Sequence, residues 1–170
     1  MTRNNAREIA VHLVFGLEFG ARSAEEVLKS ELSRERFETL GQESPLYAQY
    51  PNEKQREYIR ALVEGVYAHG EELDAYISRY AVGWSLSRIP RMARAILRTA
   101  MYEVLYMPDV PNASAIDAAV ELTKQYEPQE VASFVNGILG TFVRTELPDE
   151  PVEEQAEPEA GGEEAPGGEA

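Results

Sequence analysis

Residues 88–106 read RIPRMARAILRTAMYEVLY, and this is the most regular stretch of the chain. Apolar side chains recur in it every three or four residues, which is the spacing of one face of an α-helix. The apolar face consists of Ile89, Met92, Ala93, Ile96, Leu97, Ala100 and Val104. Two prolines follow within five residues, and proline cannot continue the hydrogen bonding of a helix. The stretch therefore predicts a long amphipathic helix over about residues 88–106.

The segments on either side of this helix show the same periodicity as far as Pro148, and none alternates in the manner of a β-strand. A capping box over residues 23–26 and Asn52 mark the starts of two further helices. The predicted helices cover about residues 4–19, 24–32, 53–69, 88–106, 113–126 and 129–145, with short ones ending at Leu40 and Tyr80. The sequence predicts an all-α fold of about seven helices. Trp84, Ile96 and Leu97 are expected to be purely structural, and Gly137 with Gly140 predicts close helix packing.

Composition divides the 170 residues into two parts. Residues 148–170 hold nine acidic side chains, four prolines and four glycines, with no lysine or arginine. Such a segment has too little apolar surface to offset the entropy lost on folding, so it is expected to be a disordered acidic tail. Residues 1–147 hold 21 acidic and 16 basic side chains, a formal charge of −5, and are expected to form one helical domain. The tail is either a passive solubilising appendage or an acidic strip that competes with RNA for basic residues.

The side-chain inventory favours a binding protein over an enzyme. The chain has no cysteine, and each of its two histidines, His12 and His69, stands alone without a second metal ligand at helical spacing. No glycine-rich phosphate loop or nucleophile motif occurs. We therefore expect no catalytic residue, no cofactor and no metal. Because no apolar run is long enough for a membrane span and no signal peptide is visible, we expect a soluble, cytoplasmic protein.

Arginines are concentrated in the long helix. Between Arg79 and Tyr102 there are five arginines and no acidic residue. At 100° per residue, four of them lie on the face opposite the apolar side chains. These four are Arg88, Arg91, Arg94 and Arg98. Such a stripe suits contacts to RNA phosphates or to the carboxylates of a protein partner, and it also fits a solvated face paired with acids on neighbouring helices.

A second basic element stands at the start of the first predicted helix. Arg3 and Arg7 are one helical turn apart, with Asn4 and Asn5 between them. Polar donors beside the free backbone N–H groups of a helix N-terminus are suited to contacting phosphates or base edges. These residues are therefore candidates for RNA binding.

Several motifs in this order resemble the NusB family of bacterial transcription antitermination factors. They are Arg3-Asn-Asn-Ala-Arg7-Glu-Ile-Ala, Arg94-Ala-Ile-Leu-Arg98-Thr-Ala-Met-Tyr-Glu-Val-Leu, Asp109-Val-Pro111, Ala115-Ile-Asp-Ala-Ala-Val-Glu-Leu-Thr-Lys124 and Phe134-Val-Asn-Gly-Ile-Leu139. The resemblance spans about residues 1–145 and implies a helical fold in two subbundles. It also implies binding of the boxA element of ribosomal RNA leader transcripts together with ribosomal protein NusE. The complex would promote read-through by RNA polymerase, without catalysis.

The resemblance assigns RNA contacts to Arg3, Arg7 and Phe134, the last by stacking on an unpaired base unless it belongs to the core. Asn4 remains an RNA-binding candidate from its place at the helix start. The chain departs from many relatives in having Asn4 and Asn5 where they carry arginines, so we expect weak RNA binding without NusE. A NusB-like domain also precedes the catalytic domain of some ribosomal RNA cytosine methyltransferases, but no such domain follows here. The remaining alternative is a protein–protein adaptor or homodimer that does not touch RNA.

Overall fold

The computed structural model describes residues 1–148, and all the regular secondary structure in this part of the chain is helical. It contains eight α-helices: α1 (Arg3–Leu17), α2 (Ala24–Glu31), α3 (Arg34–Gly41), α4 (Glu53–Ala68), α5 (Gly70–Tyr80), α6 (Arg91–Tyr106), α7 (Asn112–Tyr126) and α8 (Gln129–Glu146). Two short 3-10 helices, Pro45–Tyr47 and Leu86–Arg88, lie between them. The predicted all-α class is confirmed, with eight helices where the sequence indicated about seven. The expected acidic tail lies almost wholly outside the described residues.

Helix α6 is the centre of the molecule. It packs against α1, α4, α5, α7 and α8, while α2 packs against α1 and α4, and α3 packs against α2 and the 3-10 helix Pro45–Tyr47. Its inner face is fully buried at Ala93, Ile96 and Leu97, so the apolar pattern that predicted this helix is the one that forms the core. The first four helices form one group and the last four another, and α6 joins the two groups through α1 and α4.

Local sequence explains where the helices begin. Ser23 and Asn52 each accept a hydrogen bond from the backbone of the first turn, and a Glu or Gln at the third position closes both predicted caps as capping boxes. Helix α6 starts at Arg91, three residues later than predicted. The cause is Pro90, because the residue before a proline is disfavoured in the helical region, and Ile89 is extended with ψ 131°. Arg88 therefore belongs to a 3-10 turn.

Two glycines on helices have opposite surroundings. A Cβ added to Gly65 on α4 would lie 2.0 Å from the ring of Tyr102 on α6, so a larger residue there would have to displace this ring. Gly137 on α8 has no atom within 4 Å of the corresponding position and is exposed. The predicted close packing at Gly137 is wrong.

Among the helices of residues 1–148, none combines the length and the apolar character required to cross a membrane.

Candidate nucleic-acid interface

The start of α1 presents polar groups to solvent. Thr2 caps the helix, its side chain accepting a hydrogen bond from the backbone N–H of Asn5, so part of the free N-terminal donor set is already used. Arg3, Asn4 and Asn5 are all exposed. The Arg3 guanidinium carbon lies 4.2 Å from the centre of the Tyr58 ring, a cation–π contact that holds the side chain against α4.

Arg7 points the other way, into the protein. Its side chain is 7% exposed, with Nε 2.7 Å from Glu103 Oε1 and Nη2 3.0 Å from Oε2. The Tyr58 hydroxyl donates to the same carboxylate over 2.6 Å, and Arg7 Nη1 donates to the side chain of Asn4 over 2.6 Å. Burial acts to lower the pKa of Arg7, but hydrogen bonding and the charge of Glu103 outweigh it, and the pKa is raised.

The expectation that Arg7 is a surface contact is therefore corrected. Its guanidinium holds α1 against α4 and α6, and it donates a hydrogen bond that positions Asn4. Arg7 is therefore not a second free cation beside Arg3. The sequence contained a signal for this arrangement. Glu103 falls one turn after Ala100 on the apolar face of α6, and an acid on a buried helix face requires a buried cation as partner.

A cleft of about 370 Å³ runs from the start of α1 to α7. Its lining consists of Asn4, Asn5, Arg7, Glu8, Ser114, Asp117, Ala118, Glu121, Leu122 and Gln125. Asp117 and Glu121 also line a second cleft, of about 450 Å³, that continues to Gln129, Ser133 and Asn136 on α8. The two clefts lie on either side of these two α7 side chains, and we call the pair of clefts the α7 groove, with amide and hydroxyl side chains at both ends.

Phe134 adjoins Ser133 of this groove and is half-buried. Its ring centre lies 5.2 Å from that of Trp84, with the two planes tilted by 49°. Trp84 is 48% exposed, which the purely structural role predicted from the sequence does not explain. The sequence placed Trp84 in a break between helices but contained no signal for its exposure.

The four arginines predicted as one stripe separate into two pairs. Arg98 forms hydrogen bonds to Asp74 on α5 and to Glu18 at the end of α1, and Arg94 lies 3.4 Å from the same Glu18. Both side chains are only 14% exposed, so the structure assigns these two to neighbouring acids. Burial acts to lower the pKa of Arg98, but its bonds to Asp74 and Glu18 outweigh that effect and raise it.

Arg88 and Arg91 form the second pair, and both are exposed. Within residues 1–148, neither has an acidic oxygen within 4.0 Å. The Arg91 guanidinium lies 4.9 Å from the ring centre of Phe19, which is itself 54% exposed. These two cations are available to a ligand or partner.

A hydrogen-bond chain runs behind the groove from Glu8. The Tyr126 hydroxyl donates to Glu8 over 2.6 Å, so His12 Nε2 must donate to Tyr126 over 2.7 Å, and Nδ1 lies 2.7 Å from the Tyr47 hydroxyl. A neutral His12 accepts a hydrogen bond from Tyr47 at Nδ1, whereas a protonated one would donate. Burial lowers the pKa of His12, with Glu8 opposing the shift, and burial also raises the pKa of Tyr47 to about 12.

The described residues contain no group of three or more His, Cys, Asp or Glu side chains placed to hold a metal ion. The fold and the α7 groove define a small all-helical protein with an elongated polar surface suited to binding. The NusB family model matches residues 4–144, and the chain belongs to the NusB family.

Individual relatives agree with this assignment. The transcription antitermination protein NusB of Acetivibrio thermocellus is 41% identical over 147 residues, covering 86% of this chain and 92% of the relative. The protein of the same name from Carboxydothermus hydrogenoformans is 39% identical over 140 residues, covering 82% and 91%.

Solved structures share the fold. NusB of T. maritima has a TM-score of 0.71 and 30% identity, over 85% of this chain and 92% of that one. A complex of antitermination factors NusB and NusE with dsRNA contains a chain with a TM-score of 0.67 and 22% identity, over 84% and 96%. The latter likeness is one of fold.

Proposed function

We propose that this protein is a transcription antitermination factor that binds boxA RNA of ribosomal RNA leader transcripts together with ribosomal protein NusE. The bound pair promotes read-through by RNA polymerase. Membership of the NusB family and the similarity to transcription antitermination proteins support this function. The structural observation that carries it is the α7 groove, which extends from the exposed start of α1 to Ser133 and Asn136 on α8.

The groove is suited to base edges more than to phosphates. Asp117, Glu121 and Glu8 line it, and carboxylates repel phosphate but accept hydrogen bonds from base amino groups. Amide side chains at Asn4, Asn5 and elsewhere both donate and accept. Arg3 supplies a phosphate contact at one end. Because so few free cations line the groove, RNA binding depends on the cations that NusE brings.

Residues 1–147 act as the RNA-binding domain in this proposal, and residues 148–170 are an accessory acidic tail. Arg3, Asn4 and Phe134 contact RNA, while Arg7 positions Asn4. Arg88 and Arg91 bind either RNA or the protein partner. The protein acts without catalysis in the cytoplasm, where transcription takes place.

The proposal is tested with labelled boxA RNA, with and without NusE, at two salt concentrations. The expected result is binding that NusE strengthens and salt weakens, since phosphate contacts release counterions. Arg3→Ala and Asn4→Ala should each weaken the NusE-dependent binding several-fold. Tyr67→Ala, on the exposed surface of α4, is the control that should leave it unchanged. Absence of RNA binding under every condition would rule the proposal out.

One observation favours a second candidate, a protein–protein adaptor or homodimer. Phe19 is exposed at the end of α1, its ring centre is 4.9 Å from that of Phe15, and Arg91 covers it. An exposed aromatic pair beside a free arginine has the composition of a protein-binding surface. A stable homodimer that Phe19→Ser dissociates, without any RNA binding by either species, would favour this function.

A further inference from the structure

We infer that Trp84 and Phe134 together form a stacking platform for an unpaired RNA base. This inference rests on the proposed function and extends it. It adds Trp84 to the RNA contacts, and Trp84 lies on a different element from Arg3, Asn4 and Phe134. Trp84 belongs to the loop between α5 and α6, whereas Phe134 lies on α8. The two rings meet at 5.2 Å with a tilt of 49°.

The loop holds Trp84 in a defined position. The backbone N–H of Trp84 donates to the carbonyl of Ala81 over 3.0 Å, closing a turn in which Gly83 has φ +84°. Glycine is the residue that adopts this left-handed conformation without a steric penalty. Ala81 before the turn and Ile89 after it are almost fully buried, so both ends of the loop are fixed. The exposure of Trp84 is therefore a property of an ordered turn.

An indole that remains 48% exposed leaves a large apolar surface in water. Phe134 supports the indole from one side, and Val82, two residues before it, is 86% exposed and leaves the surrounding surface open. One turn beyond Phe134, Gly137 leaves further open space on α8. The surface can therefore accept a flat ligand.

Charge indicates which ligand this is. The segment 81–91 contains no acidic residue, and its two arginines, Arg88 and Arg91, are the exposed pair without acidic partners in the described part of the chain. Aromatic rings interspersed with free cations are the arrangement by which proteins bind single-stranded nucleic acid, the rings stacking on bases and the cations contacting phosphates. A protein partner would be expected to supply carboxylates to this segment, and the test separates the two.

The platform and the α7 groove lie on opposite flanks of α8. The groove ends at Ser133 and Asn136, whereas Phe134 is turned 100° round the helix from Ser133 and does not line it. An RNA strand that reaches both sites crosses the exposed face of α8 at Ser133 and Gly137. Double-stranded RNA has no base free to stack there, so the platform should discriminate single strands from duplexes.

The only tryptophan of the chain is Trp84, which makes the inference directly measurable by intrinsic fluorescence. The full chain, with NusE bound, is titrated with single-stranded boxA RNA and with the same sequence in a fully paired duplex. The expected result is strong quenching of Trp84 emission by the single strand and little by the duplex. Unchanged emission when the single strand is bound to saturation would overturn the platform.

Affinity variants complete the test, with RNA binding followed by the label on the RNA. Trp84→Ala should weaken binding about fivefold or more, Trp84→Phe should restore most of it, and Tyr67→Ala should have no effect. Circular dichroism and thermal unfolding establish that the variants remain folded. Equal RNA affinity of Trp84→Ala and wild type would overturn the inference while leaving the proposed function intact.

Two further outcomes are informative. Quenching of Trp84 by NusE alone, with NusE affinity lost in Trp84→Ala, would overturn the inference in favour of a protein contact. If wild-type protein fails to bind boxA RNA even with NusE, the proposed function fails as well, and the two failures are thereby distinguished.

Discussion

Arg7 Nε lies 2.7 Å from Glu103 Oε1, and this ion pair joins the start of α1 to the end of α6 inside the protein. The Glu103 side chain is fully buried, and it accepts hydrogen bonds from both Arg7 and Tyr58. Removing one partner of such a pair leaves an uncompensated charge in a medium of low polarity. The pair thus makes the position of the exposed Arg3 and Asn4 dependent on the interior of the fold.

Arg7→Ala is expected to lower the free energy of unfolding by about 3–5 kcal/mol, the usual loss when one member of a buried ion pair is removed. Arg3→Ala, one turn earlier and exposed, should change it by less than about 0.5 kcal/mol. Urea denaturation of the two variants measures the difference. An Arg7→Ala protein as stable as wild type would contradict the structural role given to this pair.

Arg98 and Arg91 should differ in their effect on stability as Arg7 and Arg3 do. Arg98→Ala should destabilise the fold because it leaves Asp74 without its partner and Glu18 with Arg94 alone, whereas Arg91→Ala should leave stability unchanged. In RNA or NusE binding the order reverses, and Arg91→Ala should show the larger loss of affinity. Thermal unfolding and a binding titration on both variants check the pattern. Similar stabilities for the two variants would contradict this division.

The sequence predicted the helices well because their apolar faces are local patterns. The start of α6 is also determined locally, because Pro90 keeps Ile89 extended and the helix begins at Arg91. The stripe of four arginines was predicted from one helix alone, and its neutralisation by Glu18 and Asp74 depends on which helices become neighbours. Which helices become neighbours is a property of the tertiary structure, and the pattern of a single helix does not contain it.

The candidate site was predictable only in part. Asn4 lines the α7 groove, whereas Arg3 and Phe134 do not, and the resemblance to a family rather than periodicity placed Phe134 in the predicted site. The contact between Trp84 and Phe134 joins residues fifty positions apart in the sequence, on separate elements, and no local pattern encodes it.

His12 makes stability depend on pH in a direction that can be stated. Its pKa is lowered in the fold because it is buried, so the unfolded chain takes up a proton at a higher pH, near 6.5. The contribution of His12 to the free energy of unfolding is therefore largest above pH 6.5 and falls as the pH decreases from there through the pKa of His12 in the folded protein. The slope contributed by His12 is at most about 1.4 kcal/mol per pH unit.

Comparison with His12→Gln isolates this contribution, since every other titrating group is common to both proteins. The difference in free energy of unfolding between wild type and variant should shrink on lowering the pH from 7 to 5. A difference independent of pH would show that His12 is not held neutral by Tyr47 and Tyr126.

Gly65 and Gly137 offer a matched pair of substitutions to alanine. Gly65→Ala should destabilise the protein strongly, because the new Cβ would fall 2.0 Å from the Tyr102 ring. Gly137→Ala meets nothing within 4 Å and should stabilise α8 by up to about 1 kcal/mol through its higher helix propensity. Thermal unfolding of the two variants should shift in opposite directions. A loss of stability in Gly137→Ala would contradict the open surface there.

The charge of the acidic tail is expected to affect RNA binding, and most of the tail lies outside the residues that the structure describes. Residues 148–170 carry nine acidic and no basic side chains, while residues 1–147 have a formal charge of only −5. If the tail competes with RNA for the exposed arginines, a 1–147 truncation should bind boxA RNA more tightly than the full chain. The difference should fade at high salt, because the screening length drops from about 10 Å at 0.1 M to about 3 Å at 1 M. Binding measured for both chains at the two salt concentrations decides the matter. Equal affinities at low salt would leave the tail with its passive solubilising role.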